Sequence, residues 1–398
     1  MKPIVFLGLA TIFLVAKGFL ASSLLNVGEF ASYSIGLLWS QIGVILLSFG
    51  SITKVQLETT ANLENNNRVA VSEDFSKSFS LTISNFFLLS LVVLTVYYFD
   101  KEFLAPSLIG LFVGFLQSLF LLFTTLTKSK QDFSFYGTVS LFKALLVISS
   151  VSFFGFFAPN YISLFLSEIL ALSIILIFVL KREFFSTGIS LELKKLNTSW
   201  YKEFLSLFLV SLSAVAFSSF DRLIGISKLG IDGIATLGFV ALFYSAALMF
   251  QSTINSIVFP YMTKINLSLG KLSLIKFSAS LSLGIFLLLM LLILLVNNIF
   301  GEFFITSFEK YSISFEMTTL LAFATAFKAS DFLSNIFLIL KKENFITLVR
   351  TTLVAFACLF LFIYGSEVID YVAAVCLLIF LYTVVLFVSL WRIYESHR

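Results

Sequence analysis

Long apolar runs follow one another along this chain, separated by short polar breaks. A membrane-spanning helix needs roughly 20 mostly apolar residues. On that measure the pattern predicts twelve spans: 3–25, 30–52, 79–99, 104–127, 135–157, 159–180, 204–226, 234–259, 277–299, 315–340, 345–364 and 368–391. Two divisions rest on brief interruptions, APN at 158–160 and GSEVID at 365–370. The first run holds Lys17 and lacks a clear small-residue cleavage site, so it reads as a span rather than a secretory leader.

The polar breaks alternate in charge, and cytoplasmic loops carry an excess of Lys and Arg. With the N-terminus in the cytoplasm, eighteen cations fall on the cytoplasmic side: Lys2, Lys54, Arg68, Lys77, Lys128, Lys130, Lys181, Arg182, Lys194, Lys195, Lys202, Lys264, Lys271, Lys276, Lys341, Lys342, Arg392 and Arg398. Arg350 lies just inside the same face. The outer loops hold only Lys101, Lys228 and Lys310. Both termini are therefore expected in the cytoplasm of a multi-pass inner-membrane protein. The longest outer loop, about residues 300–314, is too short to fold as a domain, which weighs against a glycan polymerase or transferase working through a large external loop.

The two longest polar segments, 54–77 and 181–203, both fall on the cytoplasmic side. The second is basic and partly amphipathic, as a helix on an anionic leaflet or a solvated linker would be. It divides the chain into a six-span lobe at 1–180, a linker at 181–203 and a second six-span lobe at 204–398. A faint repeat fits this division. GEFASYSIGLLW (28–39) and DGIATLGFVALF (232–243) follow the first span of each lobe, matching Ala31 with Ala235 and Leu38 with Leu242. Lobes related by an axis along the membrane normal, with a site between them, are a common transporter plan.

Composition agrees with the pattern. Of 398 residues 59% are hydrophobic and 12% charged, against roughly 25% charged in soluble domains. Mean hydropathy is +1.04. The 51 phenylalanines suit lipid-facing surface. Cys358 and Cys376 stand in separate apolar runs without CxxC spacing and read as packing residues. The single histidine is His397, which argues against a His-based triad or metal site. No catalytic residue, metal site, cofactor or nucleic-acid partner is expected.

Candidate chemistry lies in the charges inside the spans, each costing about 2.5–3.5 kcal/mol at a helix centre on insertion scales. These are Lys17, Lys143, Glu168, Asp221, Arg222, Lys328 and Asp331, four cations against three anions. Such residues face a bundle interior or a watery cavity. Lys328 and Asp331, three apart, share a helix face and could simply neutralise each other. Asp221 and Arg222 are adjacent and point about 100° apart, so each needs another partner, or snorkels to the nearby outer interface. Lys17 and Lys143 are too deep for that. Cations with span-embedded amides and hydroxyls (Ser22, Ser23, Asn26, Gln41, Asn85, Gln117, Gln251, Asn255) suit a substrate with an anionic head and many hydroxyls. The acids Glu168, Asp221 and Asp331 could alternatively bind a driving proton or sodium ion.

Three passages carry a family likeness: LLNVGEFASYSIGLLWSQIGVILLSFG (24–50), FDRLIGISKLGIDGIATLGFVALFYSAALMF (220–250) and INSIVFPYMTKI (254–265). In these the chain resembles the Wzx-type O-antigen and polysaccharide flippases of the multidrug/oligosaccharidyl-lipid/polysaccharide (MOP) exporter superfamily. The resemblance implies an all-α, two-lobed fold of about twelve membrane helices around a central cavity, working by alternating access. It implies transfer of an undecaprenyl-pyrophosphate-linked oligosaccharide to the outer leaflet of a bacterial inner membrane. It also implies neighbours in surface-polysaccharide assembly, a polymerase and chain-length proteins. By analogy Lys17, Lys143, Arg222 and Lys328 would hold the cargo while Glu168, Asp221 and Asp331 serve as charge partners or ion-coupling groups. The rival readings are a drug or cation exporter of the same superfamily, a membrane glycan polymerase or ligase, and a structural membrane protein.

Overall fold

A computed structural model describes residues 2–65, 67–98, 101–130, 132–183, 191–299, 309–327, 331–340 and 342–395. All regular structure among them is helical. In chain order the helices are α1 (Lys2–Leu24), α2 (Val27–Ser48), α3 (Ser51–Glu64), α4 (Arg68–Val96), α5 (Lys101–Ser129), α6 (Phe133–Phe157) and α7 (Tyr161–Glu183). They continue as α8 (Thr198–Lys228), α9 (Ile231–Leu269), α10 (Lys271–Ile299), α11 (Phe315–Phe327), α12 (Asp331–Ile339), α13 (Glu343–Tyr364) and α14 (Val368–Glu395). Eleven are long and apolar enough to cross a membrane. The segment expected as the tenth span is described as α11, 13 residues, and α12, 9 residues. At 1.5 Å per residue neither alone crosses a core about 30 Å thick.

Helix starts are set by short polar side chains, which accept hydrogen bonds from otherwise orphaned N–H groups. Asn26 accepts from Glu29 N at 2.8 Å, Asn67 from Ala70 N at 3.2 Å, Asp132 from Phe135 N at 3.0 Å and Asn160 from Ser163 N at 2.9 Å. The expected break at 158–160 therefore has a mechanism: Asn160 caps α7. Glu29 reinforces it by accepting from Tyr161 N at 2.8 Å. The break at 365–370 has one too, since Asp370 Oδ2 accepts from the backbone of Ser366 and Glu367, each at 3.0 Å.

The chain divides into two compact units, Met1–Val215 and Ala216–Arg398, with the division inside α8. In the first unit α2 and α5 are the most enclosed spans and pack on each other. Glycines let their backbones meet, as small residues do between membrane helices. A Cβ at Gly110 would collide with Gly36 O, and one at Gly114 would lie 2.6 Å from Ser40 O. In the second unit α14 is central, packing against α11 and α13, with Tyr371 and Tyr382 fully buried on it. Exposed apolar side chains are plentiful in both units, such as Phe87 and Leu91 on α4 or Phe356 and Phe360 on α13. In lipid these are the solvated surface, in keeping with the phenylalanine content.

Two features of the first unit add to the sequence expectation. The polar segment 54–77 contains most of α3, a helix with almost no net hydrophobicity, joined to α2 by a sharp elbow. Phe49 and Gly50 make the elbow with φ of 46° and 77°. Gly50 is required there: a Cβ would lie 2.7 Å from Phe208 N on α8. Asn85 on α4 secures the same point, donating to Leu47 O at 3.0 Å and accepting from Tyr201 OH at 2.7 Å. The second is the linker, for which the sequence leaves a surface helix and a solvated stretch both open. Residues 191–197 are not helical; the Glu192 and Lys194 amides donate to the Ser76 and Ser80 hydroxyls at 3.1 and 2.8 Å. Hydroxyls on α4 thus supply acceptors that a surface helix would have supplied internally.

Candidate functional site

The deepest charges of the first unit converge. Lys17 stands in the C-terminal half of α1, and Glu168 in the N-terminal half of α7. The two meet across 151 positions: Lys17 Nζ donates to Glu168 Oε1 at 2.8 Å. Tyr33 on α2 donates its hydroxyl to the same oxygen at 2.7 Å. The Glu168 side chain is 3% exposed and that of Lys17 12%. Tyr33 is itself wedged against Phe165, with ring centroids 4.8 Å apart, and the Lys17 ammonium lies 5.9 Å from the Tyr33 ring. Glu168 is therefore a carboxylate held by one cation and one hydroxyl, with its charge compensated.

Lys143 on α6 stands beside this cluster. Its ammonium lies 4.2 Å from the Phe120 ring of α5, a cation–π geometry. The charged groups within electrostatic range of it are Lys17, Lys128 and Glu168. Glu168 is paired by Lys17, and Lys143 forms no ion pair among the described residues. Tyr33, Phe120 and Lys128 are additions to the expected site. Tyr33 reads in sequence as part of a turn motif and Lys128 as a loop charge, and nothing local marks Phe120 among so many phenylalanines.

In the second unit Asp221 is 3% exposed. Arg222 turns back along α8: its Nη2 donates to Ser218 O at 3.3 Å and Ser219 Oγ at 3.2 Å. The guanidinium therefore points into the span rather than out to the end of α8. Tyr244 on α9 and Cys358 on α13 lie within electrostatic range of Asp221. Arg350 on α13 stands over the Tyr382 ring at 5.5 Å. Lys228, expected in an outer loop, is the last residue of α8 and donates to the Leu361 and Phe362 carbonyls at the end of α13. Lys328 lies outside the described residues, as does the side chain of Asp331, the first residue of α12. No group of three or more metal-ligating side chains occurs among the described residues.

No protein-family model matches the chain, and no curated protein matches it in sequence. Solved structures do match in fold. A multidrug resistance MATE family transporter of the MOP superfamily, in an inward-facing conformation, aligns with a TM-score of 0.68 at 13% identity, covering 100% of this chain and 99% of that one. A MATE structure in complex with MaL6 aligns at 0.64 and 12% identity, covering 100% and 97%. A MATE structure in the bent conformation aligns at 0.60 and 12% identity, covering 100% and 98%. The chain is thus an all-helical, multi-pass membrane protein with the fold of the MATE transporters, along its whole length.

Proposed function

We propose that the protein is a flippase of the bacterial inner membrane, with both termini cytoplasmic. Its cargo is an undecaprenyl-pyrophosphate-linked oligosaccharide destined for O-antigen or another surface polysaccharide. The observation that carries the reading is the charge balance inside the first unit, where Lys143 stands beside the Lys17–Glu168 pair with no carboxylate of its own among the described residues. A surplus of buried positive charge favours an anionic headgroup and repels a cationic drug. Lys17 and Lys143 would meet the pyrophosphate, with Arg222 as the cation of the second unit. Alternating access then needs no covalent chemistry, in keeping with a transporter fold rather than an enzyme.

The second reading is export of small cationic molecules, favoured by the multidrug resistance protein among the fold neighbours. Deleting the gene in its native strain separates the two. Under the first reading, lipid-linked oligosaccharide accumulates in membrane extracts and surface polysaccharide is lost. The wild-type gene restores both, and Lys17→Ala or Lys143→Ala does not. Normal surface polysaccharide with altered tolerance to cationic drugs would overturn it in favour of the second.

A further inference from the structure

At the α2–α3 elbow the first unit encloses an open-sided cavity of about 190 Å³. Six of its lining side chains are polar: Ser48, Thr53, Gln56, Thr125, Lys128 and Ser211. They come from α2, α3, α5 and α8, and no carboxylate lines the space. Ser48 and Thr125 bond to their own helices, at Ile45 O (3.3 Å) and Leu121 O (2.9 Å). The side chains of Thr53, Gln56 and Ser211 are not in hydrogen bonds with described protein groups.

Lys128 is the distinguishing group. Several other lysines of the first unit are paired with acids: Lys130 bonds to Glu183 at 2.7 Å, and Lys54 pairs with Glu58 and Glu203. Lys77 pairs with Glu73 at 2.9 Å. Lys128 has no carboxylate partner among the described residues; its ammonium rests 4.6 Å from the Tyr136 ring. A half-buried cation without an acid, opening on hydroxyls and an amide, has the chemistry of a phosphate site.

We propose that the elbow cavity is a binding site for a phosphate-bearing lipid headgroup, with Lys128 as its cation and Thr53, Gln56 and Ser211 as hydrogen-bond partners. In the proposed orientation this is the cytoplasmic end of α5, where an inner-leaflet lipid arrives. The inference deepens the flippase reading and rests on it for one of two sources of that headgroup. The pyrophosphate of the cargo is one, and an anionic phospholipid of the surrounding leaflet is the other.

The test uses the purified full chain in nanodiscs of phosphatidylcholine, with native mass spectrometry counting bound lipid. The probes are undecaprenyl pyrophosphate and phosphatidylglycerol, added separately. For the correct source, Lys128→Gln is expected to weaken binding about tenfold, Lys128→Arg less than threefold, and Gln56→Ala about threefold. Weakening of the undecaprenyl pyrophosphate signal alone assigns the site to cargo, and of the phosphatidylglycerol signal alone to phospholipid. Weakening of both assigns it to the phosphate group the two share. Unchanged binding of both in Lys128→Gln overturns the site. Equal loss in Lys128→Gln and Lys128→Arg overturns the role of charge. Thermal unfolding of each variant identifies a folding defect, and Gln56→Ala then serves as the independent probe. Failure of the flippase reading shows separately, as normal surface polysaccharide in the deletion strain.

Discussion

Tyr33 and Tyr244 are both buried tyrosines near a buried carboxylate, one in each unit, yet their hydroxyls differ. Tyr33 OH bonds to Glu168, which also holds Lys17. Tyr244 OH lies within electrostatic range of Asp221 but has no hydrogen-bond partner among the described residues. The Tyr371 hydroxyl, also in the second unit, shares that condition. A buried polar atom left unmade costs about 1–3 kcal/mol, whereas a bond to a charged acceptor contributes about 1.5–3 kcal/mol. The Tyr33 hydroxyl is thus closed on its carboxylate, even though the buried hydroxyls of Ser34, Ser107 and Thr127 in the same unit have no partner among the described residues. The Tyr244 hydroxyl of the second unit is left open. The same residue type is a structural tie in one unit and an unfilled valence in the other.

The largest break in this contrast should come from Glu168→Ala. It leaves Lys17 buried without its carboxylate and Tyr33 without its acceptor. Removing one partner of a buried pair typically costs about 3–5 kcal/mol. Equilibrium unfolding of the purified protein should register that loss. The double change Lys17→Met with Glu168→Leu removes both charges and should recover most of the stability while transport stays lost. Wild-type stability in Glu168→Ala would show that the cluster does not tie the unit together.

The tyrosines sharpen the contrast directly. Tyr33→Phe should cost about 1.5–3 kcal/mol, the value of a hydrogen bond to a charged acceptor. Tyr244→Phe removes a buried hydroxyl that bonds to no described group and should leave stability unchanged or raise it by up to about 1–3 kcal/mol in the same unfolding measurement. Equal effects in the two variants would erase the distinction between the two tyrosines.

Glycine gives a second comparison. Gly110→Ala drives a methyl group into Gly36 O, a backbone atom that cannot rotate away. Overpacking of this kind costs about 1–3 kcal/mol. Gly284 on α10 has nothing within 4 Å of the place a methyl group would take, so Gly284→Ala should stabilise by about 0.5–1 kcal/mol through helix propensity alone. Thermal unfolding should move in opposite directions for the two, and a shift of the same sign would refute the close α2–α5 crossing.

These comparisons also mark how far local sequence reaches. Spans, their breaks and the depth of the charges follow from local composition, because apolar length and capping residues act within a few positions. Asn160 and Asp370 end and begin helices by bonds three or four residues long. The Lys17–Glu168 pairing spans 151 positions and depends on which helices touch, so each charge is visible in the sequence but their meeting is not. Tyr33 looks like turn punctuation because its role depends on a side chain 135 positions away. The helix α3 is hidden for the opposite reason: it is polar on average and carries no apolar run. The linker at 191–197 reads as amphipathic but lies against Ser76 and Ser80, acceptors that no local pattern announces.

The smallest effect should come from an ion pair at the edge of the same unit, and it tests whether depth sets the scale. Lys54 on α3 pairs with Glu203 and with Glu58, and its ammonium lies 5.5 Å from the Phe204 ring. Partial burial alone would lower its pKa; the hydrogen bond and charge of Glu203 outweigh that and leave it raised above the ordinary lysine value. A raised folded-state pKa means the pair's contribution is fully present below the ordinary lysine value and is lost as pH rises through the folded one. Because the pair is open to solvent, Lys54→Met should cost only about 0–1 kcal/mol at neutral pH, and less at high salt. At strongly alkaline pH the variant and the wild type should converge. A cost approaching that of Glu168→Ala would mean that the α3–α8 tie, and not burial at the centre of the unit, governs its stability.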